Sequence, residues 1–101
     1  MDTPENVIYE KAIDTWGVPA QLCVVKEELA ELIVAISKSE RDGAGDAQLE
    51  NVCKEIADVD IVLGQLRFIL NDRLIDSEEI IAAEKKRKLE RLERMLEGNG
   101  Q

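Results

Sequence analysis

Long stretches of the chain repeat aliphatic residues every three or four positions, and short runs rich in Gly, Pro and Asp separate them. Spacing of three and four is that of one face of an α-helix, whereas a half-buried strand alternates every second residue. Four helices are predicted on this basis. The first opens at Thr3-Pro4, an N-cap followed by proline where its missing N–H costs nothing, and runs to about Thr15. Trp16-Gly17-Val18-Pro19 breaks it, and Pro19 can open the second helix, which continues to about Glu40. The apolar stripe of that helix is Leu22, Val25, Leu29, Leu32 or Ile33, and Ile36. The run DGAGD at 42–46 reads as a linker, with Asp46 as a cap. A third helix is expected over about 47–71, with Val52, Ile56, Val59, Leu63, Leu66 and Leu70 as its stripe. Gly64 lies inside it at a cost of about 1 kcal/mol relative to alanine, which points to close packing there. Asp76 and Glu79 have the spacing of a capping box ahead of a fourth helix that ends near Glu97.

No strand-like alternation, internal repeat or low-complexity segment interrupts this pattern. The expected fold is a single all-α domain over residues 1–101, with 97–101 a frayed tail and the two long central helices forming an antiparallel hairpin. Small size and two well-filled aliphatic stripes favour packing into a homo-oligomeric bundle, dimer and tetramer both being open. In the fourth helix the apolar positions Ile80, Ile81, Leu89, Leu92 and Leu96 skip the charged run 84–88. A continuous heptad seam is therefore absent, and that helix is expected to pack only partly on the core.

Composition narrows the functional classes. The mix of 45% hydrophobic and 35% charged residues is that of a folded helical protein, and 3% aromatics requires an aliphatic core. A net charge of −9 argues against a general basic surface for nucleic acid or an anionic membrane. No apolar run approaches the roughly 20 residues that span a bilayer, and the polar, acidic start MDTPENVIYEKA has no basic segment followed by an apolar one; the cytoplasm is the expected location. Cys23 and Cys53, without a CxxC, are expected to be reduced, half-buried thiols. The chain has no histidine. That removes the commonest general base and transition-metal ligand, so catalysis would have to run on carboxylates, lysines, water and metal ions.

Two acidic clusters interrupt the apolar stripes: EELAEL at 27–32 and EIADVD at 55–60. Glu28 and Glu31 are three apart, Glu27 and Glu31 four apart, and Glu55 and Asp58 three apart, so each set shares a helix face. If the two stripes pack together, Glu28, Glu31, Glu55 and Asp58 converge along one edge of the seam. Like charges at that density either hold protons or are neutralised by a cation. An all-oxygen donor set selects magnesium, manganese or calcium, and the lack of histidine excludes the di-iron bundle with its Glu-x-x-His ligands. Magnesium in turn suggests phosphate chemistry.

EELAEL followed by EIADVD resembles the EExxE…ExxD signature of the MazG-like, all-α nucleoside triphosphate pyrophosphohydrolases. The surroundings are similar too: Trp16-Gly17, Gln21, the run AISKSER at 35–41, Gly64-Gln65-Leu66, and KKRKLERLERML at 85–96. The likeness covers roughly residues 10–95. It implies that Glu28, Glu31, Glu55 and Asp58 hold magnesium, with manganese a possible substitute. Glu27 would be a ligand of a further magnesium or the base that orients the attacking water, and Glu31 would share in catalysis. The implied reaction cleaves a nucleoside triphosphate between its α- and β-phosphates, giving a monophosphate and pyrophosphate. A related enzyme acting on phosphoribosyl-ATP, or a non-enzymatic helical dimerisation or adaptor module, are the competing readings.

Such a reaction needs positive charge for the leaving group. Residues 84–94 hold six Lys/Arg against three acids, and Lys85, Lys88 and Arg91 fall along one face; a solvated helix end would have the same look. Lys38 and Arg41, beyond the acidic face of the second helix, are further phosphate candidates, with Lys54 weaker. Trp16 could stack on a base or plug the end of the bundle, and Gln21 could bond a base edge or face water. Asp60, about 200° around the helix from Asp58, reads as surface.

Overall fold

A computed structural model describes residues 3–41, 43 and 45–99. Four helices account for nearly all of them: α1 (Pro4–Trp16), α2 (Val18–Arg41), α3 (Asp46–Arg73) and α4 (Ser77–Asn99). No strand occurs among the described residues, as the periodicity requires. None of these helices is long and apolar enough to cross a membrane.

The ends of the helices follow from local chemistry. Thr3 caps α1, its Oγ1 accepting from the Asn6 N–H at 3.1 Å, with Pro4 at the first helical position. Gly17 ends α1 at φ +87°, a conformation that a side chain disfavours, and its N–H donates to the Ile13 carbonyl at 2.7 Å. Lys38 and Arg41 occupy the last turn of α2, where positive charge meets the free carbonyls. In the linker, Gly43 also has positive φ, while Asp42 and Ala44 lie outside the described residues. Asp46 is the first residue of α3 rather than a cap before it. The Ile80 N–H donates to the Asp76 carbonyl at 3.0 Å as α4 begins.

The chain divides into two compact units, Met1–Ile69 and Leu70–Gln101. In the first, the buried and half-buried positions of α2 are Val18, Gln21, Val25, Glu28, Leu32, Ala35 and Ser39, with Leu22 beside them. Those of α3 are Gln48, Val52, Glu55, Val59, Val62, Leu66 and Ile69, with Gly64, Gln65 and Phe68 beside them. Both series step by four and three alternately, the seven-residue repeat of helices packed along a seam.

This corrects the expected stripes. On α3, Val52, Val59 and Leu66 stand in the seam as expected, but Glu55, Val62 and Ile69 take the places assigned to Ile56, Leu63 and Leu70. On α2, Glu28 and Ala35 displace Leu29 and Ile36. The displaced aliphatics are exposed, Ile56 at 46%, and Ile33 at 65%. Both helices carry more aliphatic side chains than one seam can bury, so apolarity alone does not pick the buried set.

α1 joins this unit through Tyr9, which is 7% exposed. Its ring lies over Gly64 of α3 and meets Phe68 at a centroid distance of 6.5 Å, tilted by 57°. A Cβ at residue 64 would stand 2.6 Å from Tyr9 Oη and 3.1 Å from Cζ, so the close packing expected of Gly64 is present. In the second unit, α4 exposes Ile80, Leu89, Leu92, Met95 and Leu96, and Arg87 Nε donates to Glu84 Oε1 at 2.8 Å.

Gly64→Ala tests the contact beneath Tyr9. Alanine gains about 1 kcal/mol of helix propensity, but overpacking costs about 1–3 kcal/mol. The melting temperature is expected to fall, and Tyr9→Phe, which removes the nearest atom, is expected to restore part of the loss. A Gly64→Ala protein as stable as the parent would mean that the ring does not hold α1 at this spot.

Candidate metal centre

Glu28, Glu31 and Glu55 form the site. Each offers a carboxylate oxygen, and these three oxygens lie within 4.8 Å of one another. Glu28 comes from the α2 seam, Glu31 from one turn further along the same helix, and Glu55 from the α3 seam. The acids are thus not beside the buried stripe, as their flanking aliphatics suggested. Glu28 and Glu55 occupy seam positions themselves and are half-buried, while Glu31 closes the group from the exposed side.

Their electrostatics are unfavourable. Glu28 Oε2 and Glu55 Oε2 are shut off from solvent and have no hydrogen-bond partner among the described residues. Burial raises the Glu28 carboxyl above its ordinary range, and the charges of Glu31, Asp58 and Glu55 and a hydrogen bond with Glu31 add to the rise. Burial also raises Glu55, followed by the charges of Glu31 and Asp58. Asp58 is therefore close enough to be felt by both, yet it is exposed and outside the group of three. Glu27 is likewise exposed and outside it.

The donor set suits a hard divalent cation: it is all oxygen, with no nitrogen or sulfur. The two orphaned oxygens are what such an ion would coordinate, because a buried acceptor without a donor costs free energy.

The other expected residues lie outside this group of three. Gln21 is 5% exposed, and its Oε1 accepts a hydrogen bond from Gln65 Nε2 across the seam. It is buried rather than facing water, and the amide of Gln65 takes up its side-chain oxygen. Trp16 is 66% exposed at the end of α1, so it plugs nothing within one chain. Lys38 lines a surface pocket of about 180 Å³ with Ala35, Ala47, Gln48 and Asn51. Arg41 is exposed in the last turn of α2. Lys85, Lys88 and Arg91 belong to the second unit, where Lys85 and Lys88 border an apolar surface groove with Ile81, Leu89 and Leu92. Cys23 and Cys53 are free thiols, both exposed rather than half-buried. Gln48 and Asn51 carry no role in the sequence pattern. Their signal is their spacing: Asn51 stands four and Gln48 seven residues before Glu55, with Gln48 on the seam repeat and Asn51 beside it.

In comparisons with known proteins, no family model, no curated protein and no solved structure matches the chain.

The raised carboxyls fix the sign of a pH effect. In the metal-free protein, Glu28 and Glu55 keep protons in the folded chain at a pH where the unfolded chain has released them. Stability therefore falls as pH rises through the raised values and is regained as pH drops toward the ordinary glutamate range. Chelator-treated protein is expected to melt higher near pH 5 than at pH 7, and Glu28→Gln to flatten that gain. Glu84 acts in a lower window: Arg87 lowers its carboxyl, so its contribution is lost only below the ordinary range. Equal pH profiles for the parent and Glu28→Gln would show that the cluster carries no such strain.

Proposed function

We propose that the chain is a magnesium-dependent nucleoside triphosphate pyrophosphohydrolase, cleaving between the α- and β-phosphates to release a monophosphate and pyrophosphate. The observation that carries this reading is the pair of buried, unpartnered oxygens, Glu28 Oε2 and Glu55 Oε2, in a cluster of three acids. The resemblance of EELAEL and EIADVD to the MazG-like signature points the same way. Glu28, Glu31 and Glu55 would hold the ion, and Asp58, whose charge already reaches two of them, would complete the set. Bound magnesium, or manganese in its place, supplies charge neutralisation for the phosphates and acidifies water. Glu27, exposed on α2 outside the cluster, would accept the proton of the attacking water. Glu31, on the exposed side, would face the scissile bond.

The seam contacts support an antiparallel course for α2 and α3. Gln21, early in α2, meets Gln65, late in α3, and Glu31, further along α2, meets Glu55, earlier in α3. The same reading has copies of the chain associate through the aliphatic side chains left outside the seam, chiefly Leu29, Ile33 and Ile36 on α2, because such surface is costly to leave in water. That exposed apolar surface equally favours a second reading, a non-enzymatic association module whose acids bind nothing.

A panel of ribo- and deoxynucleoside triphosphates, assayed for pyrophosphate release with magnesium, separates the two. Release is expected for at least one substrate, and Glu31→Gln is expected to reduce it by about a hundredfold or more, with helicity by circular dichroism unchanged. Magnesium should also raise the melting temperature of the parent and not of Glu31→Gln. Orthophosphate as the product would overturn the bond assignment, and indifference of both activity and melting to magnesium would favour the association module. For self-association, light scattering is expected to give a mass above that of one chain, and Ile33→Glu to lower it. A monomeric parent would remove that part of the proposal.

A further inference from the structure

We infer that the surface pocket bounded by Lys38, Gln48 and Asn51 is the subsite that receives the leaving pyrophosphate, an assignment that rests on the hydrolase reading above. The pocket, of about 180 Å³, opens between α2 and α3 within the first unit, and Ala35 and Ala47 form its remaining wall. Its position follows the carboxylate cluster on both helices at once. Ala35 is four residues beyond Glu31 and Lys38 seven beyond it, while Asn51 and Gln48 are four and seven residues before Glu55. One helical turn is about 5.4 Å. The pocket therefore begins one turn from the acids, where the next phosphates of a triphosphate would lie if the α-phosphate sat at the cluster.

Its chemistry fits an anion. The chain carries −9 overall and 22 acids, yet none of the five residues lining this pocket is acidic. Lys38 brings an ammonium with three donors, and Gln48 and Asn51 each bring an amide NH₂. Every polar side chain of the pocket can donate to a phosphate oxygen, and bonds to a charged acceptor are the strong ones. Ala35, at its seam position, leaves room that a larger side chain would fill. On cleavage the α–β bridging oxygen leaves with the β-phosphate and carries the additional negative charge, so donors placed on this side favour the bond-breaking step over substrate binding alone. Volume also matters: the pocket accommodates a small polar group and not an entire nucleotide.

The test is calorimetric titration of the full chain with inorganic pyrophosphate, with and without saturating magnesium, alongside a titration with magnesium alone. Lys38→Ala and Asn51→Ala are each expected to weaken pyrophosphate binding by about tenfold or more, the value of a hydrogen bond to a charged group. The near-isosteric Asn51→Asp, which places a negative charge in the pocket, is expected to abolish it. Lys38→Arg should retain much of the affinity. All four variants should bind magnesium alone as the parent does. Pyrophosphate binding that ignores Lys38 and Asn51, or no binding by the parent in either condition, overturns the subsite while leaving the hydrolase reading standing on its own activity assay. Sensitivity to Lys38 and Asn51 in a chain whose carboxylates take up no metal does the reverse: the anion subsite stands and the hydrolase reading falls. A nucleoside without phosphates that competes for the pocket would also overturn the proposal and make it a base site.

Discussion

The repulsion among carboxylates that share the α2–α3 seam constrains everything else in the first unit. A seam of this kind is usually closed by aliphatic side chains, and the chain has enough of them: Leu29, Ile36, Ile56 and Leu63 each lie one residue from a seam position. Glu28, Ala35, Glu55 and Val62 stand there instead. Two of these are acids with an oxygen shut off from water and without a donor among the described residues. Burial of that kind works against folding unless protons or a cation remove the charge. The preference for small and acidic residues over larger aliphatic ones is difficult to account for by packing alone, and it is the physical basis for reading a metal centre into this seam.

The remaining contacts hold the acids in place. The Gln21–Gln65 amide pair lies on the same seam, and a buried polar pair of this sort favours one alignment over others, because any slip leaves both amides unsatisfied. Tyr9 over Gly64 adds α1 to the assembly close to that pair. Between them these contacts determine which residue of α3 stands opposite Glu31. The exposed aliphatics are the complement of the same choice: what is kept out of the seam must face outward.

Much of this was legible in the sequence and some was not. Helix order and approximate bounds followed from three-and-four spacing, from the Thr3-Pro4 start and from glycine at position 17. Gly64 signalled a close approach because only a packing reason offsets its cost in a helix. The acids at 28, 31 and 55 could be singled out because they sit among apolar residues on two adjacent helices. The rotation of the seam could not be read, since both helices carry aliphatics at neighbouring phases and the buried phase contains Glu28 and Glu55, which a count of apolar positions rejects. The burial of Gln21 could not be read for a related reason: its partner in the seam, Gln65, is 44 positions away. For Trp16 the sequence leaves base stacking and plugging of the bundle end both open, and the structure exposes it at the end of α1, where it plugs nothing within one chain. The two cysteines sit at solvent-facing phases of their helices, again a matter of rotation.

The seven-residue bookkeeping of the seam has a consequence for how this chain tolerates change in length. Adding a residue to the 42–45 linker leaves each helix in phase, since neither rotates about its own axis. Adding one within α2 between Gln21 and Glu28 rotates everything beyond it by about 100°. Glu28 and Glu31 would swing out of register with Glu55 while the Gln21 amide stayed with its partner. Insertions and deletions are therefore tolerable in the linker between α2 and α3 and ruinous between the amide pair and the acids, so the two features behave as a single indivisible cassette.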